Sequence, residues 1–207
     1  MNFVSHLFIS RVLYKYFKSE IELNGWAFAF GNVKPDLPPA CFEARHTLEN
    51  YIAKVNERTD QLANGELTLK EFSVKLGEVC HFACDFFCYY HSNLKLHKKN
   101  IFHFIYEICL QLQLNLLQLK KKLKIPIDSG KPYNNFFAFI FEMRHMYFTE
   151  ARSMKKDIEY ALRAANGIFE TILVSVNKSL EEAWQPEEPV PSLLDIKGDN
   201  YESRIVC

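Results

Sequence analysis

The chain has 207 residues, of which 48% are apolar and 18 are phenylalanine, so it is long enough for one domain with a large core. Lysine plus arginine and aspartate plus glutamate each total 25, so the net charge is zero. This disfavours a nucleic-acid partner, because proteins that bind nucleic acid are usually basic. Seven glycines and eight prolines are too few for an all-β fold with many tight turns.

Apolar residues recur at helical spacing through most of the chain. The pattern predicts helices over residues 2–17, 45–58, 68–91, 98–124, 134–149 and 152–184. Thr68 and Glu71 form the T-x-x-E pattern of a capping box at the start of the third helix. The expected fold class is therefore all-α, a single bundle of six or seven helices over residues 1–184, followed by a flexible tail at 185–207 that is rich in proline and acidic residues.

The stretch GWAFAFGNVKPDLPPA, residues 25–40, separates the first two predicted helices. We expect it to pass from an apolar segment into a loop, because it is interrupted by Gly31, Pro35, Pro38 and Pro39. Asp36 lies among these prolines, which hold its carboxylate with little conformational freedom. That placement suits a catalytic base or a metal ligand, and a turn-capping role is the alternative.

Two features of the sequence bear on cellular location. The first 18 residues carry His6 and Arg11 inside their apolar part and lack a small-residue cleavage site, so we predict no secretory signal. No apolar run reaches the ~18–20 residues that a membrane span requires. We therefore expect a cytoplasmic protein with reduced cysteines, and the basic segment LKKKLK at 119–124 is the feature that favours peripheral contact with a membrane.

Three cysteines, Cys80, Cys84 and Cys88, lie at i, i+4 and i+8 of one predicted helix. This spacing stacks them on one face, where small apolar side chains pack well. A thiolate zinc site would need a fourth ligand that the spacing does not supply. We interpret these cysteines as core residues.

His81 and Asp85 are four residues apart on the same predicted helix. Side chains at this spacing lie ~6 Å apart along the axis and on one face, so both can bind one cation. A buried histidine hydrogen-bonded to a neighbouring aspartate is the alternative for such a pair. His103 and Glu107 repeat the spacing on the next predicted helix, which favours metal binding.

His91 follows His81 by ten residues, which corresponds to ~15 Å on a straight helix. It therefore cannot share a metal with His81 on that helix, but it can face His103 and Glu107 across the turn. We predict two centres, one at His81 and Asp85 and another at His91, His103 and Glu107. Nitrogen and oxygen donors without thiolate suit a catalytic zinc with open positions.

Two more histidines are candidates for the first centre. His46 is predicted to lie just inside the helix that follows the proline-rich loop. His6 lies on the amino-terminal helix, flanked by Val4, Leu7 and Phe8.

This ordered series resembles the zinc-dependent phospholipase C family of bacteria, all-α enzymes related to the single-strand-specific zinc nucleases. The resemblance lies in SHLFISR near the amino terminus, GNVKPD, the following His46, H-x-x-x-D-x-x-x-x-x-H from His81 to His91, and H-x-x-x-E at His103. It covers roughly residues 1–107.

The resemblance implies a role for each matched residue. His46, His81 and Asp85 would hold one zinc, and Asp85 would bridge to a second held by His6. A third zinc would be held by His91, His103 and Glu107, and Asp36 would be the general base. Secreted members also bind metal through an amino-terminal tryptophan, for which Trp26 is not an equivalent, so we expect two or three zinc ions.

The resemblance implies a zinc-dependent phosphodiester hydrolase that cleaves a phospholipid or a related phosphoester with a metal-activated water. We expect no nucleic-acid substrate, because the chain is not basic. The alternative is a non-catalytic helical binding protein that zinc stabilises.

Overall fold

The computed structural model describes residues 1–40, 44–92, 100–126 and 136–183, and it confirms the all-α fold. These residues form eight α-helices and one short 3-10 helix, without a strand. Among the helices described, none combines the length and the apolarity that crossing a membrane requires. The helices are α1 (Phe3–Phe17), α2 (Gly25–Val33), α3 (Leu48–Asn64), α4 (Leu69–Phe86), α5 (Tyr89–Ser92), α6 (Asn100–Leu119), α7 (Phe136–Thr149) and α8 (Met154–Ala183), and the 3-10 helix is Lys34–Asp36.

The predicted helix over 68–91 is wrong in its last part. It begins with the predicted capping box of Thr68 and Glu71, but α4 ends at Phe86 and the chain turns before α5. The Tyr89 N–H at the start of α5 donates to the Asp157 carboxylate at 2.8 Å. This acceptor lies far along the chain, so the local pattern gave no sign of the break.

Asp157 also connects two further helices to α8. Its side chain is buried and accepts hydrogen bonds from the Tyr106 hydroxyl of α6 at 2.6 Å and the Tyr147 hydroxyl of α7 at 2.8 Å. With the Tyr89 N–H this makes three donors, which offset the cost of burying a carboxylate. Burial nevertheless raises the pKa of Asp157.

Helix α4 lies in the middle of the bundle, in contact with α2, α3 and α8. Its apolar residues Leu76, Val79 and Phe82 belong to the main core cluster. Cys80 and Cys84 of this helix, and Cys88 just after it, are fully buried and free, as the spacing predicted. The site residues carried by α4 are therefore held by a closely packed element.

Two glycines bring α2 against α4 backbone to backbone. A Cβ on Gly77 would lie 2.4 Å from the Phe28 carbonyl oxygen, and one on Gly31 would lie 2.1 Å from the Val74 carbonyl oxygen. Both positions therefore need glycine. The predicted loop at Gly31 is wrong, because residues 25–33 form a helix and Gly31 lies inside it.

The predicted helix over 45–58 also has different bounds, since α3 runs from Leu48 to Asn64. His46 is therefore wrongly placed by the sequence analysis, as it lies in the extended segment before α3. The predicted tail at 185–207 lies outside the described residues.

Candidate metal centre

All eight residues singled out by the sequence analysis come together in the structure. Their ligand atoms form three groups, and within each group these atoms lie within 4.8 Å of one another. The groups are His6, His81 and Asp85; Asp36, His46 and His81; and His91, His103 and Glu107.

His81 of α4 belongs to the first two groups. Its Nδ1 lies 2.8 Å from the backbone carbonyl oxygen of Asn32, so the ring donates there and presents Nε2 to the cluster. That Nε2 is 2.9 Å from Nδ1 of His46 and 3.8 Å from Oδ1 of Asp36. His81 is therefore not a core histidine hydrogen-bonded only to Asp85, which was the alternative for this pair.

Asp85 is the carboxylate at the centre of the cluster, and it is fully buried. One oxygen, Oδ1, lies 3.2 Å from Nε2 of His6. The other oxygen, Oδ2, lies 3.1 Å from Nδ1 of His46 and 3.5 Å from Nε2 of His81. Asp85 thus faces histidines from α1, from the segment before α3 and from α4 itself.

His91 is much closer to Asp85 than a straight helix allows. Its Nδ1 lies 3.5 Å from Oδ2 of Asp85, because the chain turns after Phe86. The straight helix from His81 to His91, on which the predicted separation of ~15 Å depended, is therefore not present. The two predicted centres adjoin each other through Asp85.

The third group is the one that the H-x-x-x-E spacing predicted. On α6, Nε2 of His103 lies 3.0 Å from Oε1 of Glu107, and the same oxygen lies 3.1 Å from Nε2 of His91. The ring of Tyr90 stacks on His103 with centroids 5.2 Å apart. This stacking holds the imidazole in one orientation.

The backbone nitrogen of Met1 also belongs to the cluster, and it was not among the predicted ligands. It is buried, contacts Oδ1 of Asp85, and lies 3.0 Å from Nε2 of His91 and 3.5 Å from Oε1 of Glu107. Asn2 caps α1 by accepting a hydrogen bond from the Ser5 N–H at 2.8 Å, which fixes the chain next to Met1. Two signals pointed to it: the amino-terminal ligand of the secreted family members, and the asparagine before a helical pattern.

A family model that describes zinc-dependent phospholipase C matches residues 5–156. The chain belongs to the zinc-dependent phospholipase C family. The matched range contains all eight residues of the cluster and confirms the resemblance. No curated protein and no solved structure matches the chain.

The donor atoms fit the zinc for which the family is named. Zinc binds nitrogen and oxygen at ~2.0–2.2 Å, so the ligand atoms around a tetrahedral ion lie about 3.3 Å apart. The imidazole nitrogens of His46 and His81, at 2.9 Å, and those of His91 and His103, at 3.1 Å, lie within about 0.4 Å of this spacing. Oδ2 of Asp36 is buried without a hydrogen-bond partner among the described residues, and a cation would satisfy it.

The protonation states suit cation binding as well. Burial holds the pKa of His81 well below its ordinary value and lowers that of His91 to about 4, so both rings are neutral near neutral pH. Burial opposes ionisation of Asp85 and Glu107, but neighbouring histidines and the Met1 amine overcome it and lower both pKa values. Neutral imidazoles and ionised carboxylates are the forms that bind metal.

Proposed function

We propose that this protein is a zinc-dependent phosphodiester hydrolase that acts on a phospholipid or a related phosphoester. The supporting observation is the convergence of histidine nitrogens from α1, α4, α5 and the segment before α3 on one carboxylate, Asp85. Adjacent metal ions are the arrangement that clamps both oxygens in phosphoryl transfer. Membership of the phospholipase C family favours a phospholipid as substrate.

We assign the ligands as the family resemblance implies. His46, His81 and Asp85 would hold one zinc, since Nδ1 of His46 lies 2.9 Å from Nε2 of His81 and 3.1 Å from Oδ2 of Asp85. His91, His103 and Glu107 would hold another, and their ligand atoms form one group. His6 with Asp85 would contribute to a third. Two or three ions therefore fit this set of donors.

Asp36 is assigned as the general base. Burial raises its pKa, which makes it a stronger proton acceptor, and its Oδ1 faces His46 at 3.7 Å. Bound zinc would supply polarisation of the phosphoryl oxygens and a lower pKa for water at the site. Asp36 would take a proton from the water as its oxygen bonds to phosphorus. The ester P–O bond breaks, and the proton held by Asp36 passes to the leaving oxygen, which departs as the alcohol.

A basic cavity beside His46 fits an anionic substrate. It has a volume of about 170 Å³, and its lining includes Lys34, Lys54 and Arg58. Glu78 is bound by both Lys34 and Arg58, at 2.5 Å and 2.8 Å. Three cations against one carboxylate in this lining favour a phosphate-bearing group next to the proposed zinc.

Replacing Asp36 with alanine should lower hydrolysis of bis(p-nitrophenyl) phosphate by about 10²–10⁴-fold, the usual contribution of a general base. Zinc content, measured by elemental analysis, should stay within one ion of the wild-type value because His46, His81 and Asp85 remain. Asp60→Ala, at an exposed carboxylate of α3, is the matched control and should leave both values unchanged. Full activity in Asp36→Ala would contradict the assignment.

The alternative is a binding protein that zinc stabilises without catalysis. Its supporting observation is that His6, His81 and Asp85 are fully buried in the core, as structural ligands would be. The same assay separates the two functions: purified protein that contains zinc, unfolds on chelation and hydrolyses no phosphoester would favour the alternative.

We further propose that the Met1 nitrogen binds metal when it is a free amine. A recombinant chain that starts at Met1 should then hold more zinc than the same chain extended by Gly-Ser before Met1, because the buried position leaves no room for added residues. Mass spectrometry identifies the first residue, and elemental analysis counts the zinc. Equal zinc content in the two chains would show that this nitrogen is not a ligand.

A further inference from the structure

Helix α6 has a second apolar face that points away from the core. Its core face consists of buried residues, among them Tyr106, Leu110 and Leu114. The opposite side, named here the outer face, carries large apolar side chains that are 41–79% exposed. The outer face consists of Ile101, Phe104, Ile105, Ile108, Leu112, Leu116 and Leu119.

The outer face is long and uncharged. From Ile101 to Leu119 it extends ~27 Å at the rise of an α-helix. The sequence ICLQLQLNLLQL at 108–119 contains no charged residue. A contiguous apolar surface of this extent on a folded protein indicates an interaction site.

A group of lysines follows directly. The end of α6 is closed by hydrogen bonds from the Lys121 N–H to Gln118 and from the Lys122 N–H to Leu117, with Lys121 in the left-handed region at φ 53°. This turn leaves Lys120, Lys121, Lys122 and Lys124 exposed. Residues 108–126 contain no aspartate or glutamate, so these four lysines give the segment a positive net charge.

The outer face begins beside the metal centre. His103 and Glu107 lie on the same helix, and Phe104 is adjacent to His103 in the chain. On α1, Phe3 and Val4 are 41% and 56% exposed just after Met1, whose nitrogen belongs to the cluster. A partner bound to the outer face would therefore lie next to the proposed zinc ligands.

We propose that the outer face and the following lysines dock this protein on a membrane surface that contains anionic lipid. A bilayer offers an apolar interior beside negative headgroups, which matches an apolar helix face followed by lysines. A second copy would bring no acidic group through the same segment, since 108–126 has none. The inference rests on the proposed function to the extent that a phospholipid substrate lies in such a surface.

Binding of the full chain to vesicles tests the inference without requiring catalysis. Co-sedimentation is measured with phosphatidylcholine vesicles that contain or lack phosphatidylserine. Leu112→Gln/Leu116→Gln/Leu119→Gln should weaken vesicle binding at least about 100-fold, because three exposed apolar side chains no longer enter the interface. Trp26→Gln/Phe141→Gln removes exposed aromatics from other helices and should bind as the wild type does.

The lysines are tested separately. Lys120→Gln/Lys122→Gln/Lys124→Gln should lose at least about tenfold in binding to vesicles with phosphatidylserine, and added salt should cause a similar loss in the wild type. Binding to pure phosphatidylcholine should be much less affected. Equal loss on both vesicles would contradict the role assigned to the lysines.

The outcomes separate this inference from the proposed function. Hydrolysis of soluble bis(p-nitrophenyl) phosphate should be unchanged in the triple leucine variant. Active wild-type protein that binds no vesicles would overturn the membrane inference alone, and inactive protein that binds them would overturn the proposed function alone. Light scattering that shows a dimer, converted to monomer by the leucine substitutions, would assign the face to a second copy and also overturn the inference.

Discussion

Replacing Asp85 with asparagine should remove zinc from more than one position of the cluster. Asp85 contacts the Met1 nitrogen, and its two oxygens lie 3.2 Å from His6 and 3.1 Å from His46. An amide carries no charge and binds zinc poorly, so each ion that shares this residue loses a ligand. We expect zinc affinity to fall by more than about 100-fold, which exceeds the usual effect of replacing a residue that only hydrogen-bonds a metal ligand.

The same substitution should also destabilise the metal-free protein. In the chain that starts at Met1, the buried amine would lose its closest negative partner, and leaving a buried charge without its partner costs about 3–5 kcal/mol. Urea denaturation in the presence of a chelator measures this term, and elemental analysis measures the zinc. Asp60→Asn on the exposed side of α3 is the matched control. A full complement of zinc in Asp85→Asn would rule out a shared ligand.

Eight candidate site residues could be selected from the sequence because much of their pattern is local. His81 with Asp85 and His103 with Glu107 follow the four-residue spacing of a helix face, which depends on no tertiary contact. Family resemblance then connected these pairs with His6, Asp36 and His46. The structure brings the eight residues together, and their ligand roles remain proposals.

What the sequence analysis could not predict depends on partners distant in the chain. His91 lies near Asp85 because the chain turns after Phe86. This turn is held by the hydrogen bond from the Tyr89 N–H to Asp157, a residue 68 positions later. The Met1 nitrogen carries no side-chain signal at all. Local periodicity contains neither kind of information, which is why the helix over 68–91 was predicted as continuous.

The glycine contact between α2 and α4 also depends on residues distant in the chain. Gly77→Ala should have a large effect on both stability and metal binding. The added Cβ would lie 2.4 Å from the Phe28 carbonyl oxygen and 2.8 Å from the Asn32 nitrogen, so the two helices must separate. Overpacking against rigid backbone costs about 3 kcal/mol, and this exceeds the gain of up to about 1 kcal/mol in helix propensity.

Separation of these helices would displace residues of the candidate metal centre. Asn32 on α2 holds His81 through its carbonyl oxygen at 2.8 Å, and the 3-10 helix that ends at Asp36 follows α2 without a gap. Moving α2 therefore displaces the anchor of one ligand and the proposed base together. We expect Gly77→Ala to lower both the urea midpoint and the zinc affinity. The zinc affinity should fall by about 10–100-fold, as it does when the group that hydrogen-bonds a metal ligand is lost.

Gly167→Ala is the control that separates loss of stability from loss of the site. A Cβ on Gly167 would lie 2.2 Å from the Phe139 ring, so this variant is also overpacked, but it strains the contact between α7 and α8. Both variants should denature at lower urea concentration than the wild type, while only Gly77→Ala should lose zinc affinity at urea concentrations where each is folded. Equal zinc affinity in the two variants would show that the backbone contact of α2 with α4 does not position His81.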